Sequence, residues 1–178
     1  MVYLGKQFIA MISSQNLILK PLNHQQLIKY IANDGSLERE LKLNPTIKEI
    51  TPSIKEALAE TILPNIDDAG KNHLFSSLWA IILKAESRMV GDICFVGEPA
   101  EDGEIELGYA TYEDYRGKGY MTEAIACIIE WAKRQDNVKS IFAQTAKDNP
   151  ASWHILAKNN FVQVADEEDL LSWRLKFD

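Results

Sequence analysis

The hexapeptide Arg116-Gly117-Lys118-Gly119-Tyr120-Met121 carries the plainest chemistry in the chain. Two glycines let a backbone curl around a small anion with its amides turned inward. A helix starting there would add unpaired N–H groups and the positive end of its dipole. Arg116 and Lys118 put charge at the rim. The pattern suits a phosphate or pyrophosphate. The competing reading is a strand-to-helix turn whose glycines only make the bend. The Walker A pattern GxxxxGK(S/T) and the dinucleotide fingerprint GxGxxG are both absent from the loop. Ten residues upstream, Glu106 is a candidate general base. A carboxylate there could take a proton through water, more readily if partial burial raises its pKa. Alternatively it faces solvent or pairs with a neighbouring strand.

These residues need a scaffold, and the sequence predicts one. Glu104 to Tyr112 alternates as a strand, with Ile105, Leu107 and Tyr109 on one side. Gly108 interrupts it, which points to a bulge or a close backbone approach. After the loop, Met121, Ala124, Ile125, Ile128, Ile129 and Ala132 form one apolar helical face. Upstream, Asn16 to Leu22 is predicted as a strand, and His24 to Asn33 as a helix with Leu27, Ile28 and Ile31 inward. Ser36 is expected to cap a short helix, and Ser53 with Glu56 to form a capping box on another that Pro64 ends or kinks. Phe75–Leu83 and Met89–Val96 read as antiparallel strands, followed by an acidic loop to Gly103. Ser140–Thr145 is a strand, and Asn149 to Asn159 a helix with Pro150 in its first turn. Phe161–Val164 and Leu170–Phe177 close as a hairpin.

Two blocks of this pattern resemble a known family. Arg116-x-x-Gly119 after a glycine-interrupted strand is similar to the acetyl-CoA pyrophosphate loop of the GNAT N-acetyltransferases. The spelling ELGYATYEDYRGKGYMTEA resembles the RimJ/RimL-type branch, which acetylates protein N-termini and some small amines. Asn149-Pro150-Ala151-Ser152, then Lys158-Asn159-Asn160-Phe161, is similar to the family's N-x-x-S…K-x-G-F segment. The resemblance covers roughly residues 75–177. Met121 stands where the family loop usually ends in Gly or Ala. Asn160 replaces the family glycine, and Asn is the next-best residue for a left-handed cap.

The resemblance implies an α/β (α+β) fold: a mixed, mostly antiparallel sheet, splayed at a bulged central strand and flanked by helices. Acetyl-CoA would lie in the split with its pantetheine arm as a pseudo-strand. The main chain of Tyr109, Ala110 and Thr111 would pair with the pantetheine amides. The amides of Arg116, Gly117, Lys118, Gly119, Tyr120 and Met121 would hold the pyrophosphate. Asn149 would bond the pantetheine arm or a nearby water, or cap its helix, or both. Ser152 would sit near the thioester sulfur and donate to the leaving thiolate, or else bond within its own first turn. An unpaired N–H around Gly108 to Ala110 would polarise the thioester carbonyl. Many relatives carry a Tyr acid seven residues after the Asn, where this chain has Leu156. The implied activity is acetyl transfer to a primary amine, foremost a protein N-terminal α-amine, by direct attack in a ternary complex. The alternatives are a small amine acceptor (polyamine, amino acid or antibiotic) and an acyl-CoA-binding module without turnover.

Composition sets the outer bounds. The 178 residues, 46% hydrophobic and 25% charged, suit one domain over residues 1–178 with an ample core. A net charge of -7 disfavours nucleic acid and anionic membranes and suits a cationic acceptor. Cys94 and Cys127 form no CxxC and are expected as packed thiols, while His24, His73 and His154 are scattered, so no metal site is expected. No apolar run reaches 18 residues, and the start shows no cleavage signature, so a cytoplasmic protein is expected, as monomer or homodimer.

Overall fold

The computed structural model describes residues 11–50 and 52–177. Among the described residues, eight strands form one sheet in the order β1-β2-β3-β4-β5-β6-β8-β7. They are β1 (Ile12–Ser13), β2 (Leu17–Pro21), β3 (Leu78–Leu83), β4 (Arg88–Phe95), β5 (Glu104–Thr111), β6 (Ser140–Ala146), β7 (Val162–Asp166) and β8 (Leu170–Lys176). Every neighbouring pair is antiparallel except β5 and β6. The mixed, mostly antiparallel sheet flanked by helices is the expected fold class.

The sheet divides at its one parallel join. β5 pairs with β6 only from Glu104 to Glu106, against Ser140 to Phe142. Beyond that point β5 stays with β4 up to Thr111, and β6 stays with β8 up to Ala146. A wedge-shaped gap therefore opens between the C-terminal halves of two central strands. The bulge expected at Gly108 does not break the β4–β5 register, which runs evenly from Gly91↔Thr111 to Phe95↔Leu107. The irregularity lies between β3 and β4 instead, at Ile81/Ile82. Gly108 answers to close approach: a Cβ there would stand 3.2 Å from Cys94 Sγ.

Side-chain alternation assigns the two faces. Trp79, Ile93 and Tyr109 stand abreast across β3, β4 and β5. Over them packs α5 (Tyr120–Ala132), burying the expected apolar face together with Trp131. Trp131 meets Phe75, Trp79 and Phe95 at centroid separations of 5.2 to 5.5 Å. On the opposite face Ala80, Asp92 and Ala110 stand abreast. There α1 (His24–Ala32) sends Tyr30 down to Asp92. That hydrogen bond and nearby Lys48 offset part of the cost of such a buried carboxylate.

Several helix details depart from expectation. Leu27 and Tyr30 are the buried apolar residues of α1, and Ile28 is 48% exposed, because the inward stripe runs through Gln26, Leu27 and Tyr30. Gly35, left-handed at φ 78°, caps α2 (Ser36–Leu41), so Ser36 is that helix's first residue. The next helix starts at Pro52, one residue before the expected cap Ser53, whose side chain lies outside the described residues. Pro64 neither ends nor breaks that helix at once. After α3 (Pro52–Ala57), one turn widens to π geometry over Leu58–Ile62 and the chain continues as α4 (Leu63–Ile66). The wider turn accommodates the missing proline N–H and relieves the ring's crowding of the carbonyl four residues back, at Glu60. The strand expected from Phe75 begins at Leu78, although Phe75 is fully buried.

Candidate active site

The sequence builds the site from the gap outward. Antiparallel pairing alternates which residues bond across the ladder. Val96 N–H donates to Glu106 O and Tyr112 N–H donates to Val90 O. Even-numbered residues of β5 are thus engaged with β4, and past the parallel join the N–H and C=O of Tyr109 and Thr111 turn toward the gap. Of the three residues expected to offer main-chain groups, Tyr109 and Thr111 do so. Ala110 lines the cleft while its backbone pairs with Asp92. Nothing on β6 takes up the exposed groups, because its partner beyond Phe142 is β8.

The glycine loop closes one end of the gap. Gly117 and Gly119 adopt left-handed φ values of 73° and 83°, as the two-glycine spelling demands. Gly119 caps α5 with no side-chain hydrogen bond, which leaves the first-turn amides of Tyr120 and Met121 without a side-chain acceptor. Arg116 folds back, its Nε donating to Thr111 O at 3.3 Å. Lys118 lies 5.0 Å from the centroid of the Tyr115 ring. Met121 contributes to the loop only by its backbone, because its side chain is buried with Cε toward Gly91.

The far wall is α6 (Pro150–Lys158). Asn149 caps it, its side chain accepting from Ser152 N–H at 3.2 Å. The Ser152 hydroxyl does not turn back on its own helix. It lies 2.6 Å from the Tyr109 hydroxyl, which is also 3.1 Å from Ser152 O. That contact bridges the gap from β5 to α6. Burial pushes the Tyr109 phenol up to about 12, against the pull of its Ser152 hydrogen bond. Leu156 is fully buried. Asn160 has φ 64°, the left-handed cap its spelling implied.

Two joined clefts of about 220 and 480 Å³ run between these walls, sharing Thr111, Ala151 and Ile155. The smaller lies over Gly117, Gly119 and Tyr120, and the larger over Tyr109, Arg116, Asn149 and Ser152. The loop, the exposed β5 edge and the Asn149–Ser152 turn are therefore brought together in one channel. His154 and Lys158 also line it, although in the sequence Lys158 is marked only as part of the K-x-G-F-like block and His154 only as a scattered histidine, and neither is given a place in the site. Their signal was helical spacing: positions 151, 154, 155 and 158 share one face of α6.

Glu106 lies at the apex of the gap, the last β5 residue paired with β6. Alternation sends its side chain to the Asp92 face, opposite Tyr109. It is neither fully exposed nor in an ion pair among the described residues. Partial burial raises its pKa, and the charge of Glu104 adds to that. Glu104 itself is clamped by Arg174, at 2.6 and 3.0 Å. Among the described residues no cluster of three or more His, Cys, Asp or Glu could hold a metal ion, and no helix is long and apolar enough to cross a membrane.

Comparison with known proteins agrees with this geometry. The chain matches the family model described as "Acetyltransferase (GNAT) domain" over residues 16–162. It is 39% identical over 95 residues to the uncharacterized N-acetyltransferase YjdG of Bacillus subtilis, a stretch covering 53% of this chain and 56% of that protein. The chain spans about half the length of the curated relatives it matches. Among solved structures it resembles RimL, a ribosomal L7/L12 α-N-protein acetyltransferase in complex with coenzyme A, with a TM-score of 0.67 at 16% identity over 95% of this chain and 99% of that one. It also resembles a chimera of the spermidine N-acetyltransferase SpeG from Vibrio cholerae with hSSAT, with a TM-score of 0.64 at 16% identity over 91% and 96%. The structural likenesses speak to fold, and the family match, spanning both the split sheet and the glycine loop, decides kinship: the chain belongs to the GNAT acetyltransferase family.

Proposed function

We propose that this chain, as one domain acting in the cytoplasm, transfers an acetyl group from acetyl-CoA to a primary amine, foremost a protein N-terminal α-amine. The observation that carries the reading is the gap between β5 and β6, flanked by the glycine loop at one end and by Glu106 and Ser152 on opposite faces. Tyr109 and Thr111 hold the pantetheine amides by their outward main-chain groups. The amides from Arg116 to Met121, with Lys158 beside them, hold the pyrophosphate. Tyr109 N–H faces the acetyl carbonyl and polarises it. Glu106 receives the proton of the incoming ammonium through water, and its raised pKa suits that task near neutral pH. Ser152 donates its hydroxyl hydrogen bond to the departing sulfur. No tyrosine acid is needed at Leu156, since a thiolate is a good leaving group. The amine enters from the Asp92 face, walled by α1 and α2, while CoA occupies the α5 and α6 side.

The test is thiol release from acetyl-CoA against Ser-, Ala- and Met-initiated peptides, spermidine, free amino acids and an aminoglycoside, beside a thermal-shift titration with CoA. Release with the peptides supports the reading. Release with spermidine alone moves the acceptor to polyamines. Stabilisation by CoA with no release across the panel favours a binding module, and no stabilisation overturns the CoA assignment.

A further inference from the structure

The Tyr109–Ser152 contact has a chemistry of its own. Tyr109 OH is 2.6 Å from Ser152 Oγ and 3.1 Å from Ser152 O. Each hydroxyl has one proton, and the carbonyl can only accept. If the phenol donates to the carbonyl, Ser152 donates back to the phenol and its proton is lost to the channel. If the phenol donates to Ser152 Oγ, the serine proton is released to point into the cleft that Ser152 lines. A negative sulfur in the cleft selects the second arrangement, because hydrogen bonds to an ionised acceptor are the stronger ones.

We propose that Tyr109 is a positioning residue for acetyl transfer: its phenol holds the Ser152 hydroxyl with the proton aimed at the leaving sulfur of CoA. The proposal rests on the function given above and adds a residue to it. The amine nitrogen bonds to the acetyl carbon, the C–S bond breaks, and its electron pair stays on sulfur. The ammonium loses one proton to Glu106 before attack, the second N–H proton leaves to water as the C–S bond breaks, and the thiolate takes its proton from water after release. Tyr109 gives up no proton. Burial holds its phenol at about 12 against about 8.5 for an ordinary thiol, so donation to the thiolate would run uphill by roughly three orders of magnitude. Orientation is what remains for it. The nearby helix position that could have offered a hydroxyl, Leu156, is an apolar core residue. The phenol also crosses from β5 to α6 where no strand pairing ties the two walls together.

The experiment is a cycle of Tyr109→Phe, Ser152→Ala and the double variant, with two readouts. The first is the pKa of the CoA thiol bound to the protein, followed by thiolate absorbance against a desulfo-CoA blank. It needs no acceptor. Tyr109→Phe should raise that pKa by about one unit, the lower range for losing a well-aimed hydrogen bond to a charged group. The second is kinetic: kcat should fall about tenfold with KM for acetyl-CoA within about twofold, and the double variant should match Ser152→Ala. An unchanged thiol pKa, or additive kinetic losses, overturns the positioning role while leaving the transferase reading standing. A shifted thiol pKa without turnover on any amine would show that Tyr109 aims Ser152 at the bound sulfur, but would overturn the transferase reading and with it the role in acetyl transfer. A higher Kd for CoA together with a lower melting temperature and an unchanged thiol pKa would reduce the contact to a structural brace and overturn the proposal.

Discussion

Asp92→Asn should change how stability depends on pH, and the size of the change can be worked out from the structure. Asp92 is buried in the middle of β4, accepting the Tyr30 O–H at 2.8 Å. Lys48 Nζ stands 5.6 Å from the centroid of the Tyr30 ring and is paired with Glu38. Burial pushes the Asp92 carboxyl up from 3.8 to about 6, against the opposing pull of Tyr30, Tyr112 and Lys48. An acid whose pKa is higher in the folded state binds its proton more tightly there. Its contribution to stability is whole below pH 3.8 and is lost as pH rises through 6. At 1.36 kcal/mol per unit the total is about 3 kcal/mol, of which about 2.5 kcal/mol falls between pH 4 and pH 7.5. Asparagine keeps the shape and an acceptor for Tyr30 without a charge to desolvate. The stability of the variant relative to the parent should therefore rise by about 2.5 kcal/mol across that range. Urea unfolding of both proteins at half-unit pH steps measures it; groups that do not feel Asp92 cancel in the difference, and Tyr30, Tyr112 and Cys94, which do, are raised and keep their protons throughout this range. A difference that stays flat from pH 4 to pH 7.5 would refute the burial argument.

Two further substitutions test the site. Glu106→Gln should cut kcat by about 10² or more while sparing the Kd for CoA. The parent's rate should climb with pH through an apparent pKa above the ordinary carboxylate range, since burial and then Glu104 raise that of Glu106, and the variant should lose this limb. A full rate in the variant at pH 7 would remove Glu106 from the mechanism. Gly91→Ala should destabilise by about 2 kcal/mol or more, because the new Cβ would sit 2.5 Å from Ala110 O, 3.2 Å from Met121 Cε and 3.4 Å from Thr111 Cα. The backbone atom cannot step aside without moving β5, so CoA affinity should fall with stability. Parent-like denaturant midpoints and calorimetric CoA binding would contradict this.

The parts of the site legible in the sequence are those encoded within a few residues. The glycine loop and the helix after it depend on local geometry: two left-handed glycines, an uncapped first turn and an apolar stripe at helical spacing. Asn149 before Pro150 declares a helix start in the same local way. The expected bulge failed because a strand glycine has two explanations, and only the neighbouring strand decides between them. At Gly108 the neighbour is Cys94 Sγ, fourteen positions earlier in the chain. Ile28 failed because a helical stripe three residues wide can be rotated by the sheet it lands on, here toward Gln26 and Tyr30.

What escaped the sequence altogether shares one feature, which is distance along the chain. The Tyr109–Ser152 contact joins residues 43 apart, and Tyr30–Asp92 joins residues 62 apart. Each depends on which face of β4 or β5 a residue occupies, and that parity is fixed only when the strands are in register. Register also explains why the two contacts lie on opposite faces. Asp92 pairs with Ala110, so the residue before Ala110 must point the other way, and Tyr109 is sent toward α6. A shift of one residue in β4–β5 pairing would exchange these roles, aiming the phenol at α1 and taking the Tyr109 N–H out of the gap. The unbroken register from Leu107 to Thr111 thus does the work first assigned to a bulge: it holds the outward main-chain groups and the serine-directed phenol on the same residue.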